Sequence, residues 1–286
     1  MCSVGVTLII RRHGPYESPI EKDSLQTSKQ EWCPAVLVKI EAFTVKNVPR
    51  IKPGDDLTDF LYGCDLQEGD IIVIASTVVS KAEGLIKALD SFSPSERACG
   101  MAKDLHEDPR FVEAVLEEST EVLIEKPFLL VESKFGQICV NAGLDRSNVE
   151  EGYVLLLPAN PSASARKIRK RIKERYRSNV AVIITDTCGR SFREGQTGIG
   201  IGFAGISPMK DWRGSKDLEG KELEITNEGL GDEIAGMANI MMGEGADGTP
   251  IVIVRGLTYR DGAEHVFRPK ETDVIRQAID KAYRPS

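Results

Sequence analysis

The chain has 286 residues, of which 41% are hydrophobic and 28% are charged, a balance typical of a globular protein with one large domain or two modest ones. Its 37 basic and 44 acidic side chains give a net charge of −7, which argues against nonspecific binding to nucleic acid or to acidic membranes. No apolar window is long enough to span a bilayer, and the N-terminal charges follow the apolar segment, the reverse of a secretory signal. Any anionic ligand must therefore meet a local basic pocket or metal ions.

The cysteines and histidines disfavour a disulfide framework and a nucleophilic triad. The cysteines are scattered without a CxxC pair, which fits a reducing cytoplasm and predicts a cytoplasmic protein. The few histidines form no spacing that suggests a Cys-His or Ser-His pair. These residues are Cys2, Cys33, Cys64, Cys99, Cys139, Cys188, His13, His106 and His265.

The first 35 residues differ in pattern from the rest of the chain. The segment 14–32 is polar and has neither a helical nor a strand period. We therefore predict a mobile N-terminal extension over residues 1–35 and a folded domain over residues 36–286.

Hydrophobic runs and their boundaries predict alternating strands and helices after residue 35. The predicted strands are 35–40, 70–75, 127–131, 137–140, 153–157, 180–184, 223–226 and 251–254. The predicted helices are 57–62, one opening at 93–96, 109–123, 163–177, one opening at 231, and 271–282.

The segment 180–202 carries the strongest functional signal. Its apolar strand stops at Asp186, which places a carboxylate at the strand end where sheets of parallel or mixed strands bind ligands. Arg190 and Arg193 follow in a short loop. The glycines from Gly195 to Gly202 have no side chains, which lets a large ligand approach the backbone closely. An acid, two guanidinium groups and a glycine run suit a metal and phosphate site. The alternative is a strand, a polar turn and a glycine-rich loop without a ligand.

Other polar loops add oxygen and nitrogen groups. Hydroxyls and a lysine follow the strand 70–75, and they predict either phosphate binding or a capped turn. Acids follow the strand 137–140 and the helix that opens at 231. Hard oxygen ligands from several loops suit Mg²⁺ or Mn²⁺ and hence a nucleoside triphosphate. The sequence has neither a P-loop nor a Rossmann fingerprint.

The helix 163–177 is rich in arginine and lysine. Ile168, Ile172 and Tyr176 recur at a spacing of four, which predicts an amphipathic helix with a solvated basic face. A nucleic-acid surface is the alternative, and the acidic charge of the whole chain disfavours it.

Several motifs in one order resemble the coenzyme F420-0:γ-glutamyl ligase family. The resemblance covers most of the chain, from Ile40 to Leu257. The motifs are IASTVVSKAEG (74–84), SPSERA (93–98), VNAGLDRSNVEEG (140–152), ITDTCGRSFREGQTGIGIG (184–202), MKDWRGSKDLEGKELEIT (209–226), DEIAGMANIMMGEGADG (232–248) and VIVRGL (252–257).

This resemblance implies an α+β fold of two interleaved subdomains with mixed sheets, and a homodimer. It also implies a GTP-dependent, GDP-forming ligase that adds L-glutamate to the deazaflavin coenzyme F420-0 through an acyl phosphate, with F420-1 as a candidate further acceptor and the number of added glutamates left open. The implied cofactors are two divalent cations, Mg²⁺ or Mn²⁺, with K⁺ as a monovalent cation. Membrane and nucleic-acid partners are not expected.

The resemblance assigns roles to matching positions. Asp145 and Asp186 would hold the first divalent cation, and Thr187 and Glu244 the second. The implied nucleotide contacts are Val48, Pro49, Arg50, Ile51, Ser76, Thr77, Lys81, Asn148, Ile240, Met241, Met242, Gly243, Glu244, Gly245, Ala246 and Asp247. The candidate catalytic residues are Asp186, Arg190 and Arg193, and for the two arginines the implied role is general anion binding.

Two other functions are compatible with these residues. A non-catalytic nucleotide or deazaflavin-binding module would keep the phosphate loops without a metal pair. A metal-dependent phosphohydrolase would use water where the ligase uses an amine. These three functions can be distinguished by measuring whether nucleotide turnover requires both glutamate and a deazaflavin acceptor.

Overall fold

The computed structural model describes residues 5–12, 36–262 and 264–283. The strands are β1 (Gly5–Arg12), β2 (Val36–Thr44), β3 (Ile71–Ala75), β4 (Ile86–Ala88), β5 (Ser119–Ile124), β6 (Leu130–Ser133), β7 (Ile138–Val140), β8 (Tyr153–Leu155), β9 (Ala181–Arg190), β10 (Arg193–Ala204), β11 (Lys210–Asp211), β12 (Asn227–Glu228) and β13 (Ile251–Arg255). The helices are α1 (Ser76–Ala82), α2 (Glu96–Leu105), α3 (Pro109–Glu117), α4 (Pro161–Tyr176), α5 (Leu230–Met242) and α6 (Val274–Tyr283). Short 3₁₀ turns span Leu57–Leu61, Leu89–Ser91, Asn141–Gly143 and Lys270–Thr272.

A mixed sheet forms the centre of the described fold. Its strand order is β1-β2-β13-β3-β9-β10, and β3 and β9 pair in parallel while the other neighbours are antiparallel. The helices pack around this sheet and around smaller antiparallel sheets, so the predicted α+β class with mixed sheets is confirmed.

Both faces of the central sheet are covered, which explains the continuous apolar runs in its strands. One face packs on α4, with Ile168 and Ile172 next to Ile184. The opposite face packs on α5, with Ile234 and other apolar side chains of that helix next to Ile183. Successive residues of β9 therefore enter different cores, and the strand is fixed in position just before its polar end.

A second hydrophobic core comes from the segment 85–156, which lies between α1 and α4 in the chain. It contains α2, α3, the three-stranded sheet β5-β6-β7 and the β4-β8 pair. The C-terminal helix α6 then packs against β5. The chain thus leaves the central sheet, returns to it, and finally contacts the second core. The domain boundaries drawn from the sequence stay a prediction.

The structure corrects the sequence-based elements at several places. The segment after Ile184 is not a loop, because β9 continues to Arg190 and the glycine-rich run forms β10. The helix predicted over 109–123 ends at Glu117, and its last part is β5, where β-branched residues pair with β6. The strand predicted over 223–226 is absent from the described residues, and β12 begins just after it.

Part of the predicted N-terminal extension is a strand. Strand β1 pairs antiparallel with β2 along its whole length, from Gly5 opposite Phe43 to Arg12 opposite Val36. Residues 1–4 and 13–35 lie outside the described residues. None of the described helices is long and apolar enough to cross a membrane.

Candidate functional site

The parallel pairing of β3 with β9 brings two predicted residues together. Ala75 lies opposite Thr185, so Ser76 and Asp186 continue from adjacent strands at the same edge of the sheet. The Ser76 hydroxyl donates a hydrogen bond of 2.9 Å to Asp186 Oδ1. Because the carboxyl ends of parallel strands meet at one edge, the pairing of β3 with β9 places these two residues close together.

Asp186 is a carboxylate in an unfavourable environment for its charge. Burial raises its pKa to about 6, against the opposing hydrogen bonds from the Ser76 hydroxyl and the Thr187 amide. The negative charges of Asp145 and Glu244 raise the pKa further. The three acids named for metal binding therefore lie within electrostatic reach of one another, and a cation would relieve their repulsion.

The loop that carries Asp145 lies against Asp186. Gly143 has a φ of +69°, and a Cβ built on it would lie 3.7 Å from Asp186 Oδ2 and 2.3 Å from Leu157 Cδ1. Glycine thus allows both the left-handed backbone and the close approach. Asp145 exchanges two backbone hydrogen bonds with Leu155, of 3.1 and 2.8 Å, and its carboxylate accepts the amide and hydroxyl of Ser147 at 2.6 Å each.

Lys81 lies in the last turn of α1 and reaches the same loop. Its ammonium donates to the carbonyl oxygen of Asn148 at 2.9 Å. Burial lowers the pKa of Lys81, the nearby charge of Asp145 raises it, and the charge of Arg50 lowers it. Arg50 in the segment 48–51 therefore lies near Lys81. Just after this segment, the Gly54 amide donates to Ala82 O at 2.8 Å.

A second set of predicted residues meets beside the first. The Thr187 hydroxyl donates to Glu244 Oε1 at 3.0 Å. The Asn239 amide nitrogen donates to the same oxygen at 2.9 Å, and its Oδ1 lies 3.5 Å from the Thr187 hydroxyl. The pairing links the end of β9 to the segment that follows α5.

The other residues of the predicted nucleotide-binding segment at the end of α5 differ in their exposure to solvent. Met242 is buried in the core and its carbonyl accepts the Thr249 hydroxyl at 3.0 Å. Ile240 is 83% exposed, and residues 243–247 are exposed. Gly243 has a φ of +70°, and a Cβ there would lie 2.6 Å from Asp247 Oδ2, so this turn requires glycine.

Arg190 and Arg193 lie away from the acids. They pair with each other at the exposed tip of the β9–β10 hairpin, where Arg190 donates to Glu194 O at 2.9 Å. The long strands carry them beyond Thr187, because the segment that we predicted as a short loop is extended. The structure does not join them to the acid groups, and their anion-binding role stays a prediction.

The residues present suit hard divalent cations. Asp145, Asp186, Thr187 and Glu244 offer oxygen atoms, the donors that Mg²⁺ and Mn²⁺ prefer. Among the described residues, no three His, Cys, Asp or Glu side chains converge closely enough to hold a metal ion. Neither predicted cation site requires such a cluster. The first consists of two acids, Asp145 and Asp186, and the second of the Glu244 carboxylate and the Thr187 hydroxyl.

The basic helix α4 is largely neutralised by neighbouring acids. Arginines along it form ion pairs with carboxylates from other segments, which lowers the net positive charge of this helix, and its prediction as a solvated amphipathic helix stays a prediction. These pairs are Arg166–Glu264, Arg169–Asp261, Arg171–Asp56 and Arg175–Asp59.

Sequence reasoning missed Asn239 and Ser147. Asn239 lies inside a helix rich in glycine, alanine and methionine, where asparagine is disfavoured, and that mismatch was an available signal. Ser147 follows Asp145 by two residues, the spacing of a side-chain turn, which was a second signal.

The fold and the site define an α+β protein with an acid-lined, oxygen-rich candidate cation site beside a lysine. The family profile described as F420-0:Gamma-glutamyl ligase matches residues 46–256, and the chain belongs to this family. A protein of Archaeoglobus fulgidus named coenzyme F420:L-glutamate ligase is 51% identical over 247 residues, which are 85% of this chain and 99% of the relative. Proteins of the same name from Methanosarcina mazei and Haloarcula marismortui are each 47% identical over 249 residues, covering 85% and 84% of this chain and 97% of each relative.

Proposed function

We propose that the chain is a GTP-dependent amide ligase that adds L-glutamate to the deazaflavin coenzyme F420-0, and to F420-1, in coenzyme F420 biosynthesis. The observation that carries the proposal is the position of Asp186, hydrogen-bonded to Ser76 at 2.9 Å and electrostatically coupled to Asp145 and Glu244. The names of the relatives support the substrates, and the resemblance supports GTP as the nucleotide.

In the proposed reaction, a carboxylate oxygen of the deazaflavin substrate attacks the γ-phosphorus of GTP and GDP leaves. The acyl phosphate formed has a good leaving group, unlike the free carboxylate. The unprotonated amine of glutamate then attacks the carbonyl carbon, phosphate leaves, and the amine loses a proton as the amide forms. Positioning and charge neutralisation dominate such phosphoryl transfer.

The chain's own residues would meet three anionic substrates. Asp145 and Asp186 would hold one divalent cation, and Thr187 and Glu244 would hold another, and bound cations would neutralise phosphate charge. Lys81 would act as a point charge on the nucleotide phosphates. Arg190 and Arg193 would bind an anion.

K⁺ as a monovalent cation and assembly as a homodimer belong to the proposal and follow from the resemblance alone. Cytoplasmic location also belongs to it, supported by the free thiols of Cys64, Cys99, Cys139 and Cys188 in the described part of the chain. Light scattering tests the dimer, and replacement of K⁺ by tetramethylammonium tests the monovalent cation.

The decisive experiment is mass spectrometry of the deazaflavin after incubation with GTP, Mn²⁺ and L-glutamate. We expect products with one and two added glutamyl units, and one GDP and one phosphate released per amide. GTP hydrolysis that is independent of glutamate and the deazaflavin would support the phosphohydrolase instead. Nucleotide binding without any turnover would support the binding module.

A further inference from the structure

Asn239 lies between the two residues assigned to the second divalent cation. Its Nδ2 donates to Glu244 Oε1 at 2.9 Å, and its Oδ1 lies 3.5 Å from the Thr187 hydroxyl. The Thr187 hydroxyl itself donates to Glu244 Oε1 at 3.0 Å. One amide thus contacts both candidate ligands, which come from a strand and from a loop far apart in the chain.

The chemistry of these groups fixes how the amide is oriented. An ionised carboxylate accepts hydrogen bonds and cannot donate, so the NH₂ group of Asn239 must face Glu244. The carbonyl oxygen of the amide then faces the Thr187 hydroxyl, whose single proton is shared between Asn239 Oδ1 at 3.5 Å and Glu244 Oε1 at 3.0 Å. Both contacts leave lone pairs of the Thr187 and Glu244 oxygens free to bind a cation.

The close packing of α5 on β10 allows Asn239 to contact Thr187. Gly198 lies opposite Thr187 in the hairpin. A Cβ on Gly198 would lie 2.8 Å from Asn239 Cβ and 2.7 Å from the carbonyl oxygen of Ala235, closer than real Cβ atoms approach. Glycine at this position therefore lets the helix lie close enough to the hairpin for Asn239 to reach Thr187.

We propose that Asn239 is a positioning residue that holds Thr187 and Glu244 together for the second divalent cation; this inference rests on the proposed function. A neutral amide suits the role, because it orients the carboxylate without neutralising the charge that attracts the cation. A lysine or arginine in its place would compete with the cation for Glu244.

The test is Mn²⁺ binding by the full chain without deazaflavin, measured by electron paramagnetic resonance and calorimetry with a non-hydrolysable GTP analogue. Asn239→Leu keeps the branched side-chain shape without its polar atoms and Asn239→Ala removes the amide group, while Asn227→Ala changes an exposed asparagine in β12 as a control. Loss of a residue that orients a metal ligand typically weakens metal binding by about 10- to 100-fold. We expect this loss for one of two Mn²⁺ ions in both Asn239 variants, with the control unchanged.

The outcomes separate this inference from the proposed function. Wild-type Mn²⁺ binding that both Asn239 variants retain would overturn the positioning role while the ligase proposal stands. A lower melting temperature without a change in Mn²⁺ affinity would make Asn239 structural only, which also overturns the inference. A wild-type protein that binds no Mn²⁺ would overturn the metal-dependent mechanism and this inference with it.

Discussion

At the scale of single residues, Asp186 combines a strand position with an environment that opposes its charge. The folded-state pKa of about 6 lies above the usual value of 3.8 because of burial and of neighbouring acids. The folded protein therefore binds more protons than the unfolded chain between these values, and stability falls as pH rises through this window. The ionised form reduces the free energy of unfolding above pH 6, by up to about 3 kcal/mol.

Replacing Asp186 by asparagine should separate function from stability. We expect Asp186→Asn to lower ligation at least about a hundredfold, because a lost anionic ligand leaves phosphate charge less neutralised. In excess chelator at pH 7 its melting temperature should equal or exceed that of the wild type, and the gain should vanish near pH 4. Thermal melts at both pH values beside product assays measure this. Retained activity at ordinary Mg²⁺ would remove Asp186 from the metal site, and a collapsed melt would make it structural.

Lys81 gives a second prediction at this scale. A charge-assisted hydrogen bond to phosphate contributes roughly 1.5–3 kcal/mol, so Lys81→Ala should weaken GTP binding about 10- to 100-fold. Because burial lowers the pKa of Lys81, wild-type affinity should also fall at alkaline pH as the ammonium loses its proton. Calorimetry measures both effects, and Lys87→Ala, at an exposed position in β4, is the matched control. Equally weakened GTP binding in the two variants would show a general charge effect rather than a phosphate contact.

At the scale of elements, the contact between α5 and the β9–β10 hairpin joins the two halves of the site. Asn239 and Glu244 belong to the helix and its following loop, and Thr187 belongs to the strand. The glycines of β10 make this approach possible, which explains a strand sequence with low β propensity.

Gly198→Ala should destabilise this contact. The added methyl group would overlap the backbone of α5 at Ala235, so the helix must move or the strand must distort, at a cost of about 1–3 kcal/mol. Gly100→Ala in α2 is the control, because nothing lies within 4 Å of its Cβ position. We expect the control to stabilise the protein by about 0.5–1 kcal/mol through helix propensity. Urea unfolding of both variants measures the difference, and similar stabilities would contradict close packing at Gly198.

The helix α6 is held to the second core by an ion-pair cluster. Arg276 has a side chain that is 5% exposed and forms ion pairs with Glu121 in β5 and Glu132 in β6. Lys270 contacts the same two acids, at 2.7 and 3.2 Å, but its side chain is 54% exposed. Arg276 and Lys270 therefore share the same two carboxylate partners but differ in how deeply they are buried.

This difference predicts unequal costs for two similar substitutions. Arg276→Ala should lower the free energy of unfolding by about 3 kcal/mol, because it removes a buried guanidinium and leaves two half-buried carboxylates without their main cation. Lys270→Ala should cost less than about 1 kcal/mol, as exposed pairs do. Chemical denaturation followed by circular dichroism gives both values. Equal destabilisation by the two substitutions would mean that burial does not set the strength of this cluster.

The sequence could predict the elements whose signals are local. Strand β9 is indicated by the apolar run before Asp186, and the residues after β3 share its edge because parallel strands end together. The closeness of Thr187 and Glu244 is predicted through the family resemblance alone, because no local signal in the sequence shows where α5 crosses β10. The end of α3 at Glu117 was missed for a similar reason, because pairing with β6 decides that the following residues form a strand.

At the scale of the whole molecule, charge governs how substrates approach. The chain carries a net charge of −7, and Asp145, Asp186 and Glu244 add a local negative field at the candidate site. A nucleoside triphosphate would meet repulsion there, since like charges a few ångströms apart interact strongly in a partly buried site. The positive charges of Lys81 and of the arginines at the hairpin tip offset only a small part of this negative charge.

GTP binding should therefore depend on divalent cations. A charge-assisted interaction with a phosphate oxygen contributes roughly 1.5–3 kcal/mol, and two cations would supply at least two of them. Excess chelator should therefore weaken GTP binding by about 100-fold or more relative to saturating Mn²⁺. Calorimetry in both conditions measures the ratio of the two affinities.

Guanosine, which lacks phosphates, is the control for this measurement and should bind equally well with and without Mn²⁺. A Mn²⁺-dependent affinity for guanosine would show that the cations act on the fold of the site rather than on the phosphates. Equal GTP affinity in chelator would mean that basic side chains alone hold the phosphates. The acids Asp145, Asp186 and Glu244 would then need a role other than cation binding, because burial and the charges of Asp145 and Glu244 raise the pKa of Asp186 despite its hydrogen bonds from Ser76 and the Thr187 amide.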